Sequence, residues 1–348
     1  MSILVINSGS TSLKYSVLTE GLEVLSEEKI EEIGTAVPDH KAAFSIMLDE
    51  LGAAKIKAIG HRIVHGGGKF NEAVVVSPEI LAKLKQYNTL APLHNPAGLA
   101  GIEASMESFG PEKPNIAVFD TAFYKDLPEE AYRYAISREI ADKYNIRRYG
   151  FHGISHQSVM EMAAEKLGKE SSELNLLTIH LGGGSSITAI KQGQAIDTSM
   201  GFTPLEGLVM MTRCGDIDPA IPEYLMRKAK MTSEEVYSLL NKKSGIIVLA
   251  DIDTGMRDVL SAAETGNKKA EQALKIYVYR LRKYIGAYLA VLGKIDALVF
   301  TGAIGSGSEQ IRDMVTKDLN MIAGAQVFAF KSGEAKLIAR EALNLLGK

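Results

Sequence analysis

Glycine- and serine-rich turns occur at three places in this sequence, each directly after a run of residues that favours a β-strand. They lie at 9–12, 182–186 and 302–308. Glycine allows backbone N–H groups to approach an anion closely, and serine and threonine hydroxyls add further donors. The third turn should lead into a helix capped by Ser308, and a helix N-terminus favours negative charge. Together the turns predict phosphate binding, whereas any one of them alone is compatible with an ordinary β-hairpin.

Two arginines lie close to glycine and are candidate anion ligands. Arg62 is near the end of a predicted strand at 57–64 that runs into the glycines at 66–68, and Arg213 precedes Gly215 by two residues. A charged residue at a strand end beside glycines is a typical site position in α/β proteins. For Arg62, a surface ion pair is the alternative.

A carboxylate and a histidine also lie at positions that suit a site. Asp120 follows the predicted strand Asn115–Phe119. It is a candidate Mg²⁺ ligand, because this ion usually takes one or two carboxylates together with phosphate oxygens. Capping of the next segment is the alternative. His94 lies between Pro92 and Pro96, which restrain the backbone and can aim the ring. A purely structural histidine is the other interpretation.

The elements around the first two turns repeat each other. Strands are predicted at 3–6 and 13–17, and again at 176–181 and 187–190. The segment GSTSLKY at 9–15 aligns with GGSSITA at 183–189, 174 positions later and half of the 348-residue length. This spacing is typical of an internal duplication. Helices are predicted at 44–51, 78–87, 96–109, 156–167, 219–240 with a break near Met231, 267–292, 309–319 and 334–346.

Bulk properties exclude several protein classes. With 348 residues, 46% of them hydrophobic and 23% charged, the chain suits two globular domains of roughly 100–200 residues each. A net charge of −3 does not favour nucleic-acid binding, and no apolar run reaches the roughly 20 residues of a membrane helix. The single cysteine, Cys214, allows no internal disulfide, and MSILVINSGS has no secretory pattern. We therefore expect a cytoplasmic protein.

Seven segments resemble signatures of the acetate kinase family: INSGSTSLKYS, GHRIVHGG, PLHNP, FDTAFY, YGFHGISH, DTSMGFTPLEGL and TRCGDIDPAI. The family belongs to the sugar kinase, Hsp70 and actin superfamily. The resemblance implies an α/β fold with two ribonuclease-H-like (actin-like ATPase) domains and an active-site cleft between them. It places the domains at 1–123 completed by 335–348, and at 124–334. Cleft closure would exclude water from the reaction.

The family's activity is reversible phosphoryl transfer from ATP to acetate, which gives acetyl phosphate and ADP. A carboxylate is already ionised at neutral pH, so the acceptor needs no general base, and catalysis consists of positioning and charge stabilisation. The resemblance implies that Arg62 and Arg213 clamp the acetate carboxylate and the phosphoryl oxygens. It also implies that His152 hydrogen-bonds the transferring group and that His94 helps to place it.

The resemblance assigns further residues to three sets. The acyl pocket, which would suit the acetate methyl group, comprises Val64, Leu93, Phe151 and Pro204 beside Arg62. One methylene changes binding by only about 1–3 kcal/mol, so propionate is expected to be a poorer substrate. The metal set, for Mg²⁺ or Mn²⁺, is Asp120, Glu334 and Asn7. The phosphate and nucleotide set is Asn7, Ser10, Ser12, Lys14, His180, Gly182, Gly183, Gly184, Arg257, Gly302, Ile304 and Gly305.

The departures from the family pattern concentrate at the nucleotide site. Gly183 stands where the family has Asn, Gly255 where it has Asp, and Ser306 and Gly307 where it has Glu and Asn. Glu334 lies between Gly333 and Ala335 rather than in Asn-Glu-Glu, and the chain is shorter than is usual, mainly between 20 and 54. The phosphoryl donor therefore remains open between ATP, another nucleotide and pyrophosphate.

Other functions are compatible with parts of this pattern. A propionate or butyrate kinase is the nearest alternative, and a non-catalytic nucleotide-binding regulator is a remote one. Such a regulator would not need Arg62, Asp120, His152 and Arg213 together. The expected partners are a small carboxylic acid and a nucleotide, with no nucleic acid and no membrane. The resemblance also implies a homodimer, to which the tyrosine-bearing helix at 267–292 is a candidate contributor.

Overall fold

The computed structural model describes residues 1–9, 11–52, 55–92 and 94–347. The chain forms two compact units. The first unit comprises Met1–Lys125, Phe151–Ser158 and Gly333–Lys348, and the second comprises Asp126–Gly150 and Val159–Ser332. Each unit is built around one β-sheet with helices, which confirms the α/β class.

The strands fall into two sheets. In the first unit the order is β3-β2-β1-β4-β6-β5, with β1, β4 and β6 parallel, and in the second it is β11-β10-β7-β8-β9, with β11, β10 and β7 parallel. The bounds are β1 Ser2–Ser8, β2 Leu13–Thr19, β3 Val24–Ile30, β4 Ile56–Ile63, β5 Val74–Val75, β6 Asn115–Phe119, β7 Asn175–Leu181, β8 Ser185–Lys191, β9 Gln194–Thr198, β10 Ala297–Thr301 and β11 Gln326–Ala329.

The helices lie mainly between strands and after the last one. Their bounds are α1 His40–Leu51, α2 Pro78–Lys85, α3 Asn95–Phe109, α4 Glu129–Tyr132, α5 Arg138–Tyr144, α6 Gly153–Leu167, α7 Ala220–Lys228, α8 Ser233–Lys242, α9 Gly245–Ala250, α10 Met256–Glu264, α11 Lys268–Leu292, α12 Gly302–Gly307, α13 Glu309–Thr316 and α14 Glu334–Leu346. In the part of the chain described by the structure, none of these helices has the length and apolar character needed to cross a membrane.

Strand β1 shows why the apolar run at the N-terminus has no polar alternation. Ile3 and Val5 belong to a buried cluster with Ile338 of α14, whereas Leu4 and Ile6 belong to a second cluster that includes residues of α1. A strand covered on both faces needs apolar residues at every position. The C-terminal helix therefore completes the core of the first unit.

In the second unit, the long helix α11 covers one face of the sheet. Alternate residues of β7, such as Ile179 and Leu181, share a core cluster with Tyr277, Leu281 and other buried residues of this helix. Because side chains alternate across a strand, these residues of β7 lie on one face of the sheet, and the helical spacing of apolar residues in α11 gives it one apolar face. The buried tyrosines of α11 thus include core residues, as their helical spacing suggested.

The repeated strand–turn–strand motif is confirmed in both units. The β1–β2 hairpin pairs Ser8 with Leu13, and the β7–β8 hairpin pairs Leu181 with Ser185. Each hairpin also has its first strand paired with a parallel partner, β4 or β10. The short sequence echo thus corresponds to a shared supersecondary arrangement.

Three sequence predictions need correction. The segment 302–308 was expected to be a loop, but its residues Gly302–Gly307 form α12, because Gly302 has φ 78° and turns the chain directly from β10 into a helix. Helix α13 does begin at Glu309 with Ser308 as its cap, yet it ends at Thr316 rather than 319. Helix α6 begins at Gly153, three residues before the predicted start.

A buried histidine in the first sheet predicts acid sensitivity of folding. His61 of β4 is 1% exposed, and its Nε2 lies 2.8 Å from the Asn115 side-chain oxygen. Burial lowers the pKa of His61 to about 4, whereas an unfolded histidine titrates near pH 6.5. The folded state therefore binds fewer protons below pH 6.5, and the stability contributed by the neutral imidazole is lost as the pH falls towards 4.

We expect His61 to account for about 2 kcal/mol of the unfolding free energy lost between pH 7.5 and pH 5. Denaturant unfolding of the wild type and of His61→Gln at both pH values measures this share, since glutamine can still donate to Asn115 but does not titrate. An equal pH dependence in the two proteins would contradict the assignment.

Candidate active site

An arginine–aspartate pair lies at one edge of the first sheet. Arg62 of β4 and Asp120, directly after β6, belong to neighbouring parallel strands, so both lie towards the carboxyl ends. Arg62 Nη2 donates to Asp120 Oδ2 at 2.6 Å, and Nε donates to the same oxygen at 3.1 Å. Asp120 is 1% and Arg62 18% exposed. Within the described residues Arg62 Nη1 has no hydrogen-bond acceptor, so this nitrogen can bind an external anion.

The charges around Arg62 keep its guanidinium ionised. Burial alone lowers the pKa of Arg62, but the carboxylates of Asp120 and Glu334 outweigh this effect and raise the pKa above its ordinary value. Burial raises the pKa of Asp120, and Arg62 opposes that rise. The carboxylate of Glu334, in the first turn of α14, raises the pKa of Asp120 as well as that of Arg62. Two of the predicted metal-associated carboxylates therefore lie near one guanidinium.

Asn95 fixes the chain that follows Arg62, a role that was not predicted. Its side-chain oxygen accepts from the His65 backbone N–H at 3.0 Å, and its amide nitrogen donates to the His65 carbonyl at 3.0 Å. His65 Nδ1 accepts from the Gly67 backbone N–H at 2.8 Å, and burial lowers the pKa of His65 to about 4. The imidazole is thus a neutral structural group. The only sequence signal was the position of Asn95 beside His94.

His152 adopts a backbone conformation that L-residues with side chains rarely use. Its φ is 57°, and such left-handed residues concentrate at functional sites. The turn is fastened on both sides: Tyr124 Oη donates to the Phe151 carbonyl at 2.9 Å, and the Gly153 N–H donates to the Asp120 carbonyl at 3.1 Å. A Cβ at Gly153 would lie 2.0 Å from that carbonyl oxygen. The structure thus brings the His152 turn and Asp120 together.

The structure describes some, but not all, of the remaining predicted site residues of the first unit. Val64 is partly exposed directly after β4, and Phe151 is buried with its ring 5.6 Å from that of His65. His94 occupies the N-cap position of α3, where its side chain makes no capping hydrogen bond. Leu93, like Ser10 of the first turn, lies outside the described residues.

The first predicted phosphate turn is closed by its own backbone. The Gly9 N–H donates to the Ser12 carbonyl at 2.7 Å, and Asn7 lies opposite Lys14 in the β1–β2 register. Lys14 Nζ lies 2.9 Å from Glu27 Oε1. The ammonium group predicted for phosphate binding is therefore engaged by an exposed carboxylate of β3.

Arg213 of the second unit is a half-buried guanidinium without a carboxylate partner among the residues placed by the structure. Its Nη1 donates to the Pro204 carbonyl at 3.0 Å and contacts Met210 Sδ at 3.6 Å. Burial lowers the pKa of Arg213, and Tyr237 partly opposes this effect. Because no described carboxylate compensates its charge, this guanidinium is suited to bind an anionic ligand.

The second glycine turn lies beside the Arg213 segment. The Gly182 N–H donates to the Gly184 carbonyl at 2.9 Å, and the Met211 N–H donates to the Gly183 carbonyl at 3.3 Å. A Cβ at Gly182 would lie 4.0 Å from the Ala303 nitrogen in the first turn of α12. The structure thus brings together the glycine turn, the start of α12 and the segment that carries Arg213.

The other predicted nucleotide residues also belong to the second unit. His180 of β7 pairs in register with Thr301 of β10. Gly302 requires glycine, because its φ is 78° and a Cβ would lie 2.5 Å from the Leu181 carbonyl oxygen. Ile304 and Gly305 of α12 lie next to the core, with Ile304 packed against it. Arg257 is an exposed residue in the first turn of α10.

Comparison with known proteins identifies the family. The acetokinase family profile matches residues 21–342. The acetate kinase of Dictyoglomus turgidum is 43% identical over 399 aligned positions, which cover 100% of this chain and 98% of that protein. The chain belongs to the acetokinase family. The signature segments that resemble this family are thereby confirmed as evidence of membership.

Solved structures of acetokinases have the same fold. The acetate kinase of Porphyromonas gingivalis superposes with a TM-score of 0.91 at 35% identity, covering 99% of each chain. A propionate kinase of Francisella tularensis superposes with a TM-score of 0.90 at 35% identity, covering 98% of each chain. These matches confirm the predicted fold class.

Proposed function

We propose that this protein is an acetate kinase, which transfers a phosphoryl group reversibly from ATP to acetate. The observation that carries the proposal is the pair of guanidinium groups, in an acetokinase chain, that retain capacity for an anion. Among the residues that the structure describes, Arg62 has an unused Nη1 beside its bond to Asp120, and the partners of Arg213 are neutral. Cations with free donors suit a reaction that gathers a carboxylate and phosphate oxygens.

The proposed reaction has one bond made and one broken. An acetate oxygen attacks the γ-phosphorus of ATP, and the bond from that phosphorus to the bridging oxygen breaks, so that ADP leaves with the electron pair. Arg62 binds the acetate carboxylate, and Arg213 stabilises the charge on the phosphoryl oxygens. His152 donates a hydrogen bond to the transferring group and His94 helps to position it. No proton has to be removed from the nucleophile.

A divalent cation, Mg²⁺ or Mn²⁺, fits the oxygen groups near Arg62. Asp120 and Glu334 would supply carboxylates, since the charge of Glu334 raises the pKa of Asp120, and Asn7 would add an amide oxygen. Over the described ranges there is no group of three His, Cys, Asp or Glu residues able to hold a metal alone, a situation that suits Mg²⁺ completed by substrate phosphates and water. When bound, the cation would neutralise charge on the phosphate oxygens.

The acid and the donor are proposed in more detail from the same residues. The resemblance to the family assigns Val64, Leu93, Phe151 and Pro204 to the acyl pocket, and these apolar side chains would favour acetate, with propionate as a poorer substrate. ATP is the proposed donor. Pyrophosphate is the second candidate, because side chains that the family usually has at the nucleotide site are missing here. At Gly183 and Gly307 a Cβ would meet nothing within 4 Å, so packing does not explain their loss, whereas the φ of 120° at Gly255 itself favours glycine.

The assembly and domain division follow from the family as proposals. We propose a homodimer to which α11 contributes, and domains at 1–123 with 335–348 and at 124–334. Sedimentation of the purified chain would test the dimer.

A hydroxamate assay tests the proposed function. Purified protein is incubated with acetate, propionate or butyrate, each with ATP, GTP or pyrophosphate and Mg²⁺, and acyl phosphate is trapped by hydroxylamine. We expect the highest kcat/KM for acetate with ATP. The kcat/KM for propionate should be lower by about 10-fold or more, because the two acids differ by one methylene. Product with pyrophosphate but not ATP would reassign the donor. Absence of product with every pair would overturn the kinase function.

A further inference from the structure

We propose that Arg148 is a positioning residue for the reaction, which acts by holding the segment 198–206 in the conformation that presents Pro204 and Arg213. The inference rests on the proposed function, because it assigns those two residues to the acyl pocket and to phosphoryl transfer. Arg148 directly precedes the YGFHGISH signature segment. In the structure its side-chain hydrogen bonds are made to the protein itself.

The guanidinium of Arg148 is directed at one stretch of backbone. Nη1 lies within hydrogen-bond distance of three consecutive carbonyls, at 2.9 Å from Thr198, 3.3 Å from Ser199 and 3.2 Å from Met200. Nε donates to the Ala131 carbonyl at 3.2 Å. Thr198 is the last residue of β9, and Ser199 and Met200 follow the strand, so Arg148 supplies donors to backbone carbonyls at the point where the ladder ends.

The same guanidinium fixes the far end of the segment through Glu206. Arg148 Nη2 donates to Glu206 Oε1 at 2.6 Å, and the two side chains are 17% and 31% exposed. Tyr134 Oη donates to the other oxygen of Glu206 and accepts from the Phe202 N–H at 2.8 Å. A Cβ at Gly201 would overlap both the Glu206 carboxylate and the Tyr134 oxygen. One cation thus ties the beginning and the end of the segment together.

The segment held in this way contacts Arg213 directly. The Pro204 carbonyl accepts from Arg213 Nη1 at 3.0 Å, so a shift of this carbonyl would move the guanidinium. A second hydrogen bond connects the end of this segment with the residues just after Arg213, because the Gly207 N–H donates to Asp216 Oδ1 at 2.8 Å. Tyr284 Oη donates to the second oxygen of Asp216 at 2.6 Å. Movement of the segment is thereby transmitted to Pro204 and to Arg213.

Lysine cannot replace arginine in this role. A single ammonium group cannot reach Ala131, the three carbonyls and Glu206 at once, whereas the planar guanidinium offers five donors in a fixed geometry. Displacement of a catalytic group by about 1 Å costs on the order of 100-fold in rate. We therefore expect Arg148→Lys to fold and to lower kcat for acetyl phosphate formation by about 100-fold.

The matched control is Arg282→Lys in the same unit. Arg282 also donates to several backbone carbonyls, those of Val315, Met314 and Lys317, but it has no bond to the segment 198–206. Both variants are compared with the wild type in thermal unfolding and in steady-state kinetics with acetate and with propionate. Equal unfolding temperatures in the two variants would show that any kinetic difference comes from positioning.

Two readouts separate positioning from a loss of stability. Arg148→Lys should change the acetate-to-propionate ratio of kcat/KM by at least about threefold, because Pro204 lines the acyl pocket, and should leave KM for ATP within about twofold. Arg282→Lys should leave both unchanged. Kinetics of Arg148→Lys equal to those of Arg282→Lys would overturn the proposal, even though an active wild type would still support the kinase function.

Glu206→Gln provides a second variant in case Arg148→Lys does not fold. Glutamine keeps an acceptor for Arg148 but lacks the charge, so we expect a smaller fall in kcat, about 10-fold, with the same direction of change in acid preference. A Glu206→Gln enzyme with wild-type kcat and acid preference would contradict the inference.

Discussion

Arg213→Ala is expected to lower kcat for acetyl phosphate formation by about 10³- to 10⁵-fold while the protein remains folded. The guanidinium is half-buried, and in the part of the chain that the structure covers it has only the Pro204 carbonyl and the Met210 sulfur as partners. Removal therefore breaks no ion pair and should change stability little. The charge that develops on the phosphoryl oxygens would lose its strongest proposed donor.

The measurement is the steady-state rate of acetyl phosphate formation, with denaturant unfolding in parallel. Arg227→Ala is the control, because Arg227 is 63% exposed on α7 and pairs with Glu223, and we expect it to keep wild-type kcat. Arg213→Lys should recover part of the rate lost in Arg213→Ala by restoring a point charge. If turnover of Arg213→Ala equals that of the wild type, Arg213 has no role in the chemistry.

Asp120→Asn is expected to impair both the stability of the first unit and the metal dependence of the reaction. Asp120 is 1% exposed and accepts both Nε and Nη2 of Arg62. Removing the charge of one partner in a buried pair costs roughly 3–5 kcal/mol. Because asparagine still accepts one hydrogen bond, we expect a loss of about 3 kcal/mol in unfolding free energy, at the lower end of this range.

The same substitution removes one proposed carboxylate ligand of the cation. We expect kcat of Asp120→Asn to fall by at least about 100-fold, the scale found when one group that stabilises transition-state charge is lost, and the Mg²⁺ concentration for half-maximal rate to rise. A magnesium titration of the activity and a denaturant titration measure the two effects. Asp142→Asn is the control, because Asp142 is 63% exposed and pairs with Arg133. Wild-type magnesium dependence in Asp120→Asn would exclude Asp120 as a ligand.

The stability and the magnesium dependence of Asp120→Asn together distinguish a structural role of Asp120 from a role as a metal ligand. A variant that is unstable but has a normal magnesium requirement would leave Asp120 as the structural partner of Arg62 alone. The sequence offered a surface ion pair as the alternative role of Arg62, and the structure contains an ion pair, but with the buried Asp120. The pair does not exclude binding, because Arg62 Nη1 remains without an acceptor within the described ranges.

Local features of the fold could be predicted because they depend on neighbours in sequence. The alternation in β2, the helical spacing in α11 and the Ser308 cap of α13 each involve residues a few positions apart. Strand β6 and helix α14 have the predicted bounds. The short helix α12 could not be predicted, because its residues, GAIGSG, have poor helix propensity and its first residue packs against the Leu181 backbone.

The three glycine-rich segments predicted to be phosphate turns differ from one another in the structure. The first is closed by its own backbone, and Lys14 beside it pairs with Glu27. The second lies beside the Arg213 segment through the Met211–Gly183 hydrogen bond. The third is a helix. Sequence alone could not distinguish them, because glycine specifies the conformations that are allowed and not the partners that are present.

Sequence patterns predicted the repeated hairpins, most helices and the residue types needed for phosphoryl transfer, and the signature segments indicated the acetokinase family. Which charges meet is visible in the tertiary structure alone. Arg62 and Asp120 are 58 positions apart, as are Arg148 and Glu206. It also gave His152 its left-handed backbone. Periodicity and capping act over a few residues, whereas these pairings depend on strand register and on how loops close over long separations.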